Sequence, residues 1–174
     1  VDGKTVKNLG TGGDATLMGL ATVEDGALKL PGGNTEGYLN LPDGILENVL
    51  DFTIRTKIKV NQKYDWQRVF DFGSSTSEYM FLNVGNNNRF AIRPEGEGEE
   101  YVDINSVDTG TWVEYAVIGN KDGISVYIDG QLSATLATDT RPEDLVAVAN
   151  INNYLGRSQY SADSYFAGEY DYFY

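Results

Sequence analysis

The chain has 174 residues with a formal net charge of −13 and contains neither cysteine nor histidine, which excludes disulfides, thiolate sites, Ser-His-Asp triads and the commonest zinc ligand. Its acidity argues against nucleic acid as a partner, because phosphate binding needs clustered Lys and Arg, and no apolar run reaches the ~18 residues of a membrane-spanning helix. We therefore predict one domain over residues 1–174 with a single core and with neither nucleic acid nor a membrane as a partner.

The first part of the chain indicates short strands between turns. Residues 1–37 are rich in turn signals, and strands are predicted at 27–30 and 38–41, each flanked by Gly or Pro. Residues 45–50 are compatible with one helical turn. The strand predicted at 52–60 alternates most cleanly, with inward Phe52, Ile54, Ile58 and Val60 and outward Thr53, Arg55, Lys57 and Lys59. We expect the cationic outward side to be a solvated face rather than a binding surface.

A meander of three strands is predicted next, at residues 66–73, 79–84 and 89–93. The segment that follows, residues 94–100, carries four glutamates and two glycines. We call it the acidic loop, and its composition is typical of a mobile segment. Another short strand is expected at 101–104.

The centre of the fold is predicted from one hairpin. Residues 112–118 and 124–128 each alternate with a period of two. Residues 119–123, with the sequence GNKDG, supply the turn between them, and Asp129-Gly130 opens a second tight turn into residues 131–136. Local chemistry therefore predicts three consecutive antiparallel strands.

Four phrases of the chain resemble the laminin-G-like, concanavalin A-like jelly rolls. They are VKNLGTGGDATLMG at 6–19, RVFDFG at 68–73, the hairpin that ends in VYIDG at 112–130, and YLGRSQYSADSYFAGEYDYF at 154–173. The last of these is similar to the closing segment of laminin-G-like modules appended to secreted glycoside hydrolases. The resemblance implies an all-β fold, an antiparallel β-sandwich with jelly-roll topology.

The residues also indicate a possible sugar-binding surface. Sugar sites combine an aromatic platform with planar hydrogen-bonding side chains in a preformed hollow. Arg89 and Arg93 share one side of their predicted strand, opposite Phe90 and Ile92, so that a polar stripe runs along the sheet. The candidate ligand-binding residues are Trp66, Arg68, Asp71, Tyr79, Arg89, Arg93, Arg157, Gln159 and Tyr160.

The same side chains also suit a structural interpretation. In it, Arg68–Asp71 or Arg157–Asp163 are ion pairs within the fold, and Trp112 belongs to the core. The two interpretations differ in whether the arginine stripe lines an open hollow or is closed over by the acidic loop.

The resemblance further implies one structural Ca²⁺ that ties the first loops to the last strand, because jelly rolls of this kind often bind it through hard oxygen ligands. Asp171 occupies the matching position of the closing phrase. Its partners are expected among Asp2, Asn8 and Asp14 in the N-terminal loops.

Catalysis is not expected. Retaining glycanases need two carboxylates about 5 Å apart, commonly in an E-x-D-x-x-E phrase, and no such phrase occurs. The glutamates of the acidic loop lie on a segment that cannot hold an acid/base pair at a fixed separation.

The preferred hypothesis is a non-catalytic carbohydrate-binding module. It targets a larger extracellular, secreted glycan-active enzyme to plant or host polysaccharide, with a neighbouring catalytic domain in the parent chain. One alternative is an adhesion or structural spacer module that makes protein–protein or interdomain contacts. A glycanase is the least favoured alternative.

Overall fold

The computed structural model describes residues 4–146 and 149–174, which form two antiparallel sheets. In chain order the strands are β1 (Thr5–Val6), β2 (Ala15–Gly19), β3 (Thr22–Glu24), β4 (Ala27–Leu30), β5 (Gly37–Asn40), β6 (Phe52–Gln62), β7 (Arg68–Ser75), β8 (Glu78–Asn83), β9 (Arg89–Arg93), β10 (Glu100–Asp103), β11 (Trp112–Asn120), β12 (Gly123–Ile128), β13 (Gln131–Leu136), β14 (Asn152–Leu155) and β15 (Ala167–Phe173). One sheet has eight strands in the order β1-β2-β5-β14-β7-β8-β9-β10, and the other has seven in the order β13-β12-β11-β6-β15-β4-β3. The antiparallel β-sandwich predicted from the sequence is confirmed.

The main core lies between the two sheets, because each strand turns alternate side chains inward. The inward residues of β8 and β9 include Met80, Leu82, Phe90 and Ile92, and all four are fully buried. They belong to the same cluster as Tyr115 of β11 in the facing sheet. Burial of a large apolar side chain contributes roughly 1.5–3 kcal/mol, so this layer holds the two sheets together.

The central hairpin forms as predicted. In β11 and β12, Asn120 pairs with Gly123, which leaves Lys121 and Asp122 as a two-residue loop. The second turn has φ of 48° at Asp129 and 75° at Gly130. Positive φ at both central residues is what a tight hairpin turn requires, and Asp-Gly is a preferred pair for it.

The outward side of β6 is a solvated face, as expected. Its ion pairs are Arg55–Glu114, Lys57–Asp171 and Lys59–Glu169, with N···O distances of 2.8, 3.0 and 2.7 Å. Trp112 lies on this same face, half-buried, with the ammonium nitrogens of Lys57 and Lys59 at 5.8 and 5.1 Å from its ring centroid. The expectation that Trp112 belongs to the core is wrong, because Val113 and Tyr115 take the inward positions of β11.

The helical content differs from the prediction. Residues 43–48 form consecutive turns, so the predicted segment 45–50 is not a helix, and the Val49 N–H donates to the Leu46 carbonyl at 3.3 Å. A short 3-10 helix that was not predicted spans Pro142–Val146 and is anchored by the fully buried Leu145. In residues 4–146 and 149–174 there is no helix with the length and apolar composition needed to cross a membrane.

Candidate functional site

The outer face of the eight-stranded sheet, opposite the main core, carries most of the candidate ligand-binding residues. Because Met80 and Ile92 point into the core, their neighbours Tyr79, Phe81 and Ala91 face outward, where they form a second apolar cluster. These three side chains are nonetheless buried, with exposed fractions of 2% or less. Another part of the chain therefore lies over the sheet here.

Residues 158–163, which we call the covering segment, lie across this face. The Gln159 N–H donates to Asp71 Oδ2 at 3.1 Å, and the Tyr160 hydroxyl donates to a backbone carbonyl of the β7–β8 turn at 3.0 Å. The rings of Tyr79 and Tyr160 meet edge to face with their centroids 6.0 Å apart. The structure thus brings these four candidate residues together, but as parts of a packed layer.

Arg68 is the centre of the contacts that hold the covering segment on the sheet, and only 2% of it is exposed. Its Nε lies 3.3 Å from Asp71 Oδ2, its Nη2 lies 3.0 Å from Asp163 Oδ2, and its guanidinium carbon lies 3.8 Å from the centroid of the Phe81 ring. The ion pair between Arg68 and Asp71 that the structural interpretation expected is present. The expected pair between Arg157 and Asp163 is not formed, because Arg68 occupies that carboxylate.

The Asp71 carboxyl has an unusual electrostatic environment. Burial raises its pKa from the usual 3.8 to about 6, against the opposing effects of the Arg68 charge and of the hydrogen bond from Gln159. Its second oxygen, Oδ1, has no hydrogen-bond partner among the described residues. A buried ionised carboxylate with an unsatisfied acceptor is unfavourable. The contact between the sheet and the covering segment therefore depends on pH in the range where Asp71 titrates.

Arg89 and Arg93 share one side of β9, as the alternation predicted, but both are held by neighbouring chain. Arg89 binds Asp103 at 2.9 Å through Nε and Glu99 at 3.3 Å through Nη1. Arg93 donates to the Glu97 carbonyl of the acidic loop at 3.1 Å and to a carbonyl of the β7–β8 turn at 3.4 Å. The arginine stripe is therefore closed over at Arg93 by the acidic loop.

An accessible platform remains at Trp66 and Tyr101. Tyr101 is 49% exposed, and the guanidinium carbon of Arg89 lies 3.5 Å from its ring centroid and 5.8 Å from that of the half-buried Trp66. Trp66 has φ of 54°, a left-handed conformation that is strained for a bulky residue. Sequence reasoning missed Tyr101, because only the register of β9 and β10 places it opposite Ala91 on this face.

Arg157 lies elsewhere on the same face. Its guanidinium carbon is 4.8 Å from the centroid of the Tyr38 ring and 4.7 Å from that of Tyr154, and its Nη1 donates to the Tyr38 hydroxyl at 2.7 Å. These tyrosines belong to β5 and β14, which are neighbours in the sheet. Among the described residues, Arg157 thus forms no ion pair with the Asp71 and Asp163 carboxylates that Arg68 binds, although Tyr154 lies opposite Asp71 in the sheet.

A cavity of about 670 Å³ lies between the acidic loop and residues 139–144. The carboxylates that line it are Glu95, Glu97, Glu99, Glu100, Asp139 and Asp144. Glu99 accepts a hydrogen bond from the Tyr79 hydroxyl at 2.6 Å, and Glu100 accepts one from the Thr140 hydroxyl at 2.5 Å. These contacts tie the acidic loop to the sheet and to the segment before the 3-10 helix.

The candidate calcium ligands lie on different parts of the molecule. Asp171 is on the outward face of the seven-stranded sheet, where it binds Lys57 at 3.0 Å. Asn8 and Asp14 lie in the loop before β2, where Asp14 binds Lys7 at 2.6 Å and accepts from the Asn8 N–H at 3.0 Å. Asp2 lies outside the described residues. Within the described ranges, no group of three or more acidic side chains is arranged to hold a metal ion, and the calcium site stays a prediction.

The chain is similar in sequence to one protein family and in fold to several solved structures. A family model described as the concanavalin A-like lectin/glucanases superfamily matches residues 32–174. No curated protein sequence matches the chain. Domain 4 of AbnA, a GH43 extracellular arabinanase from Geobacillus stearothermophilus solved in complex with arabinotriose, is similar with a TM-score of 0.67 and 15% identity, over 91% of this chain and 81% of that one.

Two other solved structures have the same fold. The CBM40 of the Ruminococcus gnavus IT-sialidase, bound to α2,3 sialyllactose, gives a TM-score of 0.67 and 16% identity over 83% of this chain and 86% of that one. Domains LG4-5 of the mouse laminin α1 chain give a TM-score of 0.68 and 15% identity, over 88% of this chain and 42% of that one. At such identities the structures show the fold alone, and the family match over residues 32–174 shows the lineage. The chain belongs to the concanavalin A-like lectin/glucanase superfamily.

Proposed function

We propose that the domain is a non-catalytic carbohydrate-binding module, and that it holds a larger extracellular glycan-active enzyme on plant or host polysaccharide. The observation that carries this proposal is the accessible platform of Trp66, Arg89 and Tyr101 on the outer face of the eight-stranded sheet. An aromatic ring packs against the apolar C–H face of a sugar, while polar neighbours bind its hydroxyls. Structures of the same fold solved with arabinotriose and sialyllactose support this class of ligand.

The platform is held in place before any ligand arrives. The Arg89 guanidinium is fixed from one side by Asp103 at 2.9 Å and Glu99 at 3.3 Å, and its face packs on Tyr101 at 3.5 Å. Side chains that are already ordered lose little conformational entropy on binding, which favours affinity. A module of this kind raises the local concentration of an attached enzyme at an insoluble polymer without chemistry of its own.

One observation favours a second candidate, an adhesion or structural module. The covering segment and the acidic loop close over the Arg68 and Arg93 part of the stripe, so a large part of the outer face offers no open hollow. A closed face suits contact with protein better than enclosure of a sugar. The laminin domains have the same fold.

A glycan array separates these candidates. We expect the isolated domain to bind one glycan class, and we expect Tyr101→Ala to bind it about tenfold more weakly, which corresponds to the loss of about 1.4 kcal/mol. Tyr174→Ala is the matched control, because Tyr174 is a 73% exposed tyrosine beside the other sheet. An array with no bound glycan would contradict the proposal and favour the adhesion module. Repeating the array in a calcium chelator tests whether the predicted Ca²⁺ supports binding.

A further inference from the structure

Arg157 is packed against two aromatic rings. The guanidinium lies beside Tyr38 and Tyr154, with its carbon 4.8 and 4.7 Å from their centroids, and the two rings meet edge to face with centroids 5.4 Å apart. Tyr38 is in turn stacked on Tyr165, with centroids 6.1 Å apart and planes at 22°. Ring contacts of this kind do not use the N–H donors of the guanidinium, which lie in its plane.

Most of these N–H groups are uncommitted. A guanidinium has five N–H donors, and one hydrogen bond of Arg157 is found in the described part of the chain, from Nη1 to the Tyr38 hydroxyl at 2.7 Å. The side chain forms no ion pair with any carboxylate of residues 4–146 and 149–174. Arg157 is half-buried, so its edge is within reach of a ligand.

The other arginines of this face are different. Arg68 binds two carboxylates, those of Asp71 and Asp163. Arg89 also binds two carboxylates, and Arg93 donates to two backbone carbonyls. Carboxylates are abundant in a chain with a net charge of −13, yet among the described residues Arg157 binds neither a carboxylate nor a backbone carbonyl. Arg157 therefore packs against aromatic rings but has no carboxylate partner among the described residues.

We propose that Arg157 is a subsite for the carboxylate of an acidic sugar residue, a uronate or a sialate. This inference rests on the proposed carbohydrate-binding function and specifies its ligand. The planar fork of a guanidinium matches a carboxylate through two parallel N–H···O bonds, which a lysine cannot reproduce. The two tyrosine rings keep the fork ordered, so little entropy is lost when it engages the ligand.

The test compares each acidic sugar with a neutral counterpart by calorimetric titration of the whole domain. The probes are trigalacturonic acid against its methyl ester, and 3′-sialyllactose against lactose. We expect the domain to bind one of the acids about tenfold or more tightly than its neutral counterpart, the difference expected for a charge-assisted hydrogen-bond pair. The pair that shows the difference identifies a uronate or a sialate.

Two variants assign the preference to Arg157. Arg157→Lys keeps the charge and loses the fork, and we expect it to bind acid and neutral counterpart within about twofold of each other. Arg157→Met keeps packing against the two rings and serves as the second test if the lysine variant melts at a lower temperature. Arg55→Lys is the control, because Arg55 lies on the outward face of the other sheet, where it pairs with Glu114, and we expect it to keep the preference for the acid.

The outcomes are distinguishable. Equal binding of acid and neutral sugar by the unaltered domain overturns the Arg157 inference and leaves the carbohydrate-binding proposal standing. Retention of the preference in Arg157→Lys and Arg157→Met also overturns the assignment to this residue. An array and titrations without any binding overturn both proposals together.

Discussion

Replacing Arg68 with methionine tests the contacts between the sheet and the covering segment. Arg68→Met removes both ion pairs, to Asp71 at 3.3 Å and to Asp163 at 3.0 Å, while the thioether still fills space against Phe81. Asp71, which is 1% exposed, is left without its cation. Breaking a buried pair in this way lowers the free energy of unfolding by about 3–5 kcal/mol, because an uncompensated charge remains.

The loss depends on pH, and its sign follows from the raised pKa of Asp71. A carboxyl whose pKa rises from 3.8 to about 6 on folding stabilises the fold below pH 4, relative to higher pH, and this contribution is lost as the pH rises through 6. The Arg68 charge lowers that pKa, so the pKa of Asp71 rises further in Arg68→Met. The free energy of unfolding of the variant therefore continues to fall at pH values above 6. Between pH 5 and pH 7.5 the variant should therefore lose more stability than the unaltered domain, by up to about 1.4 kcal/mol for each pH unit above 6.

Urea denaturation of both proteins at pH 5 and pH 7.5 measures this difference. Arg55→Met is the matched control, because Arg55 forms an exposed ion pair with Glu114 at 2.8 Å, and exposed pairs contribute little. We expect the control to lose little at either pH. Equal destabilisation of Arg68→Met at the two pH values would refute the argument that Asp71 titrates against Arg68.

Two further predictions concern buried positions. Tyr115→Phe should raise the free energy of unfolding by about 1 kcal/mol, because the buried Tyr115 hydroxyl has no partner among the described residues. Tyr170→Phe should lower it by about 1 kcal/mol, since its hydroxyl donates to a backbone carbonyl at 2.7 Å; equal urea midpoints for the two variants would contradict this reasoning. Gly32→Ala should destabilise by roughly 2–4 kcal/mol, because φ is +74° and the new Cβ would lie 2.2 Å from that of Ala167. Gly26→Ala, at φ of +81° in open space, should cost only about 1 kcal/mol, and a comparable thermal shift in both glycine variants would show that the close approach is unimportant.

The strands could be predicted where their determinants are local. The hairpin of β11 and β12 follows from alternation and from a turn that contains Asn, Asp and Gly, all within the same stretch of chain. The meander β7–β9 was predicted on the same basis and is confirmed. Trp112 was expected in the core, but the alternation of β11 turns Val113 inward and Trp112 outward.

The candidate site could be predicted only in part. The alternation of β9 correctly placed Arg89 and Arg93 on one side. The pair of Arg68 with Asp71 was expected, but its second partner, Asp163, could not be foreseen, since it is 95 positions away along the chain. Tyr101 was missed for a similar reason, because its position beside Arg89 depends on the register between two strands joined by the acidic loop.

The position of β15 has a consequence for how the chain folds. This strand, Ala167–Phe173, lies between β6 and β4 inside the seven-stranded sheet, with Tyr170 opposite both Ile58 and Leu28. A sheet whose inner strand is made more than a hundred residues after its neighbours must close a long loop, and such non-local pairing slows folding. During synthesis, the edges of β4 and β6 that β15 will occupy remain unpaired until residues 167–173 emerge from the ribosome. The domain is therefore expected to depend on protection from aggregation in the interval before residues 167–173 are made.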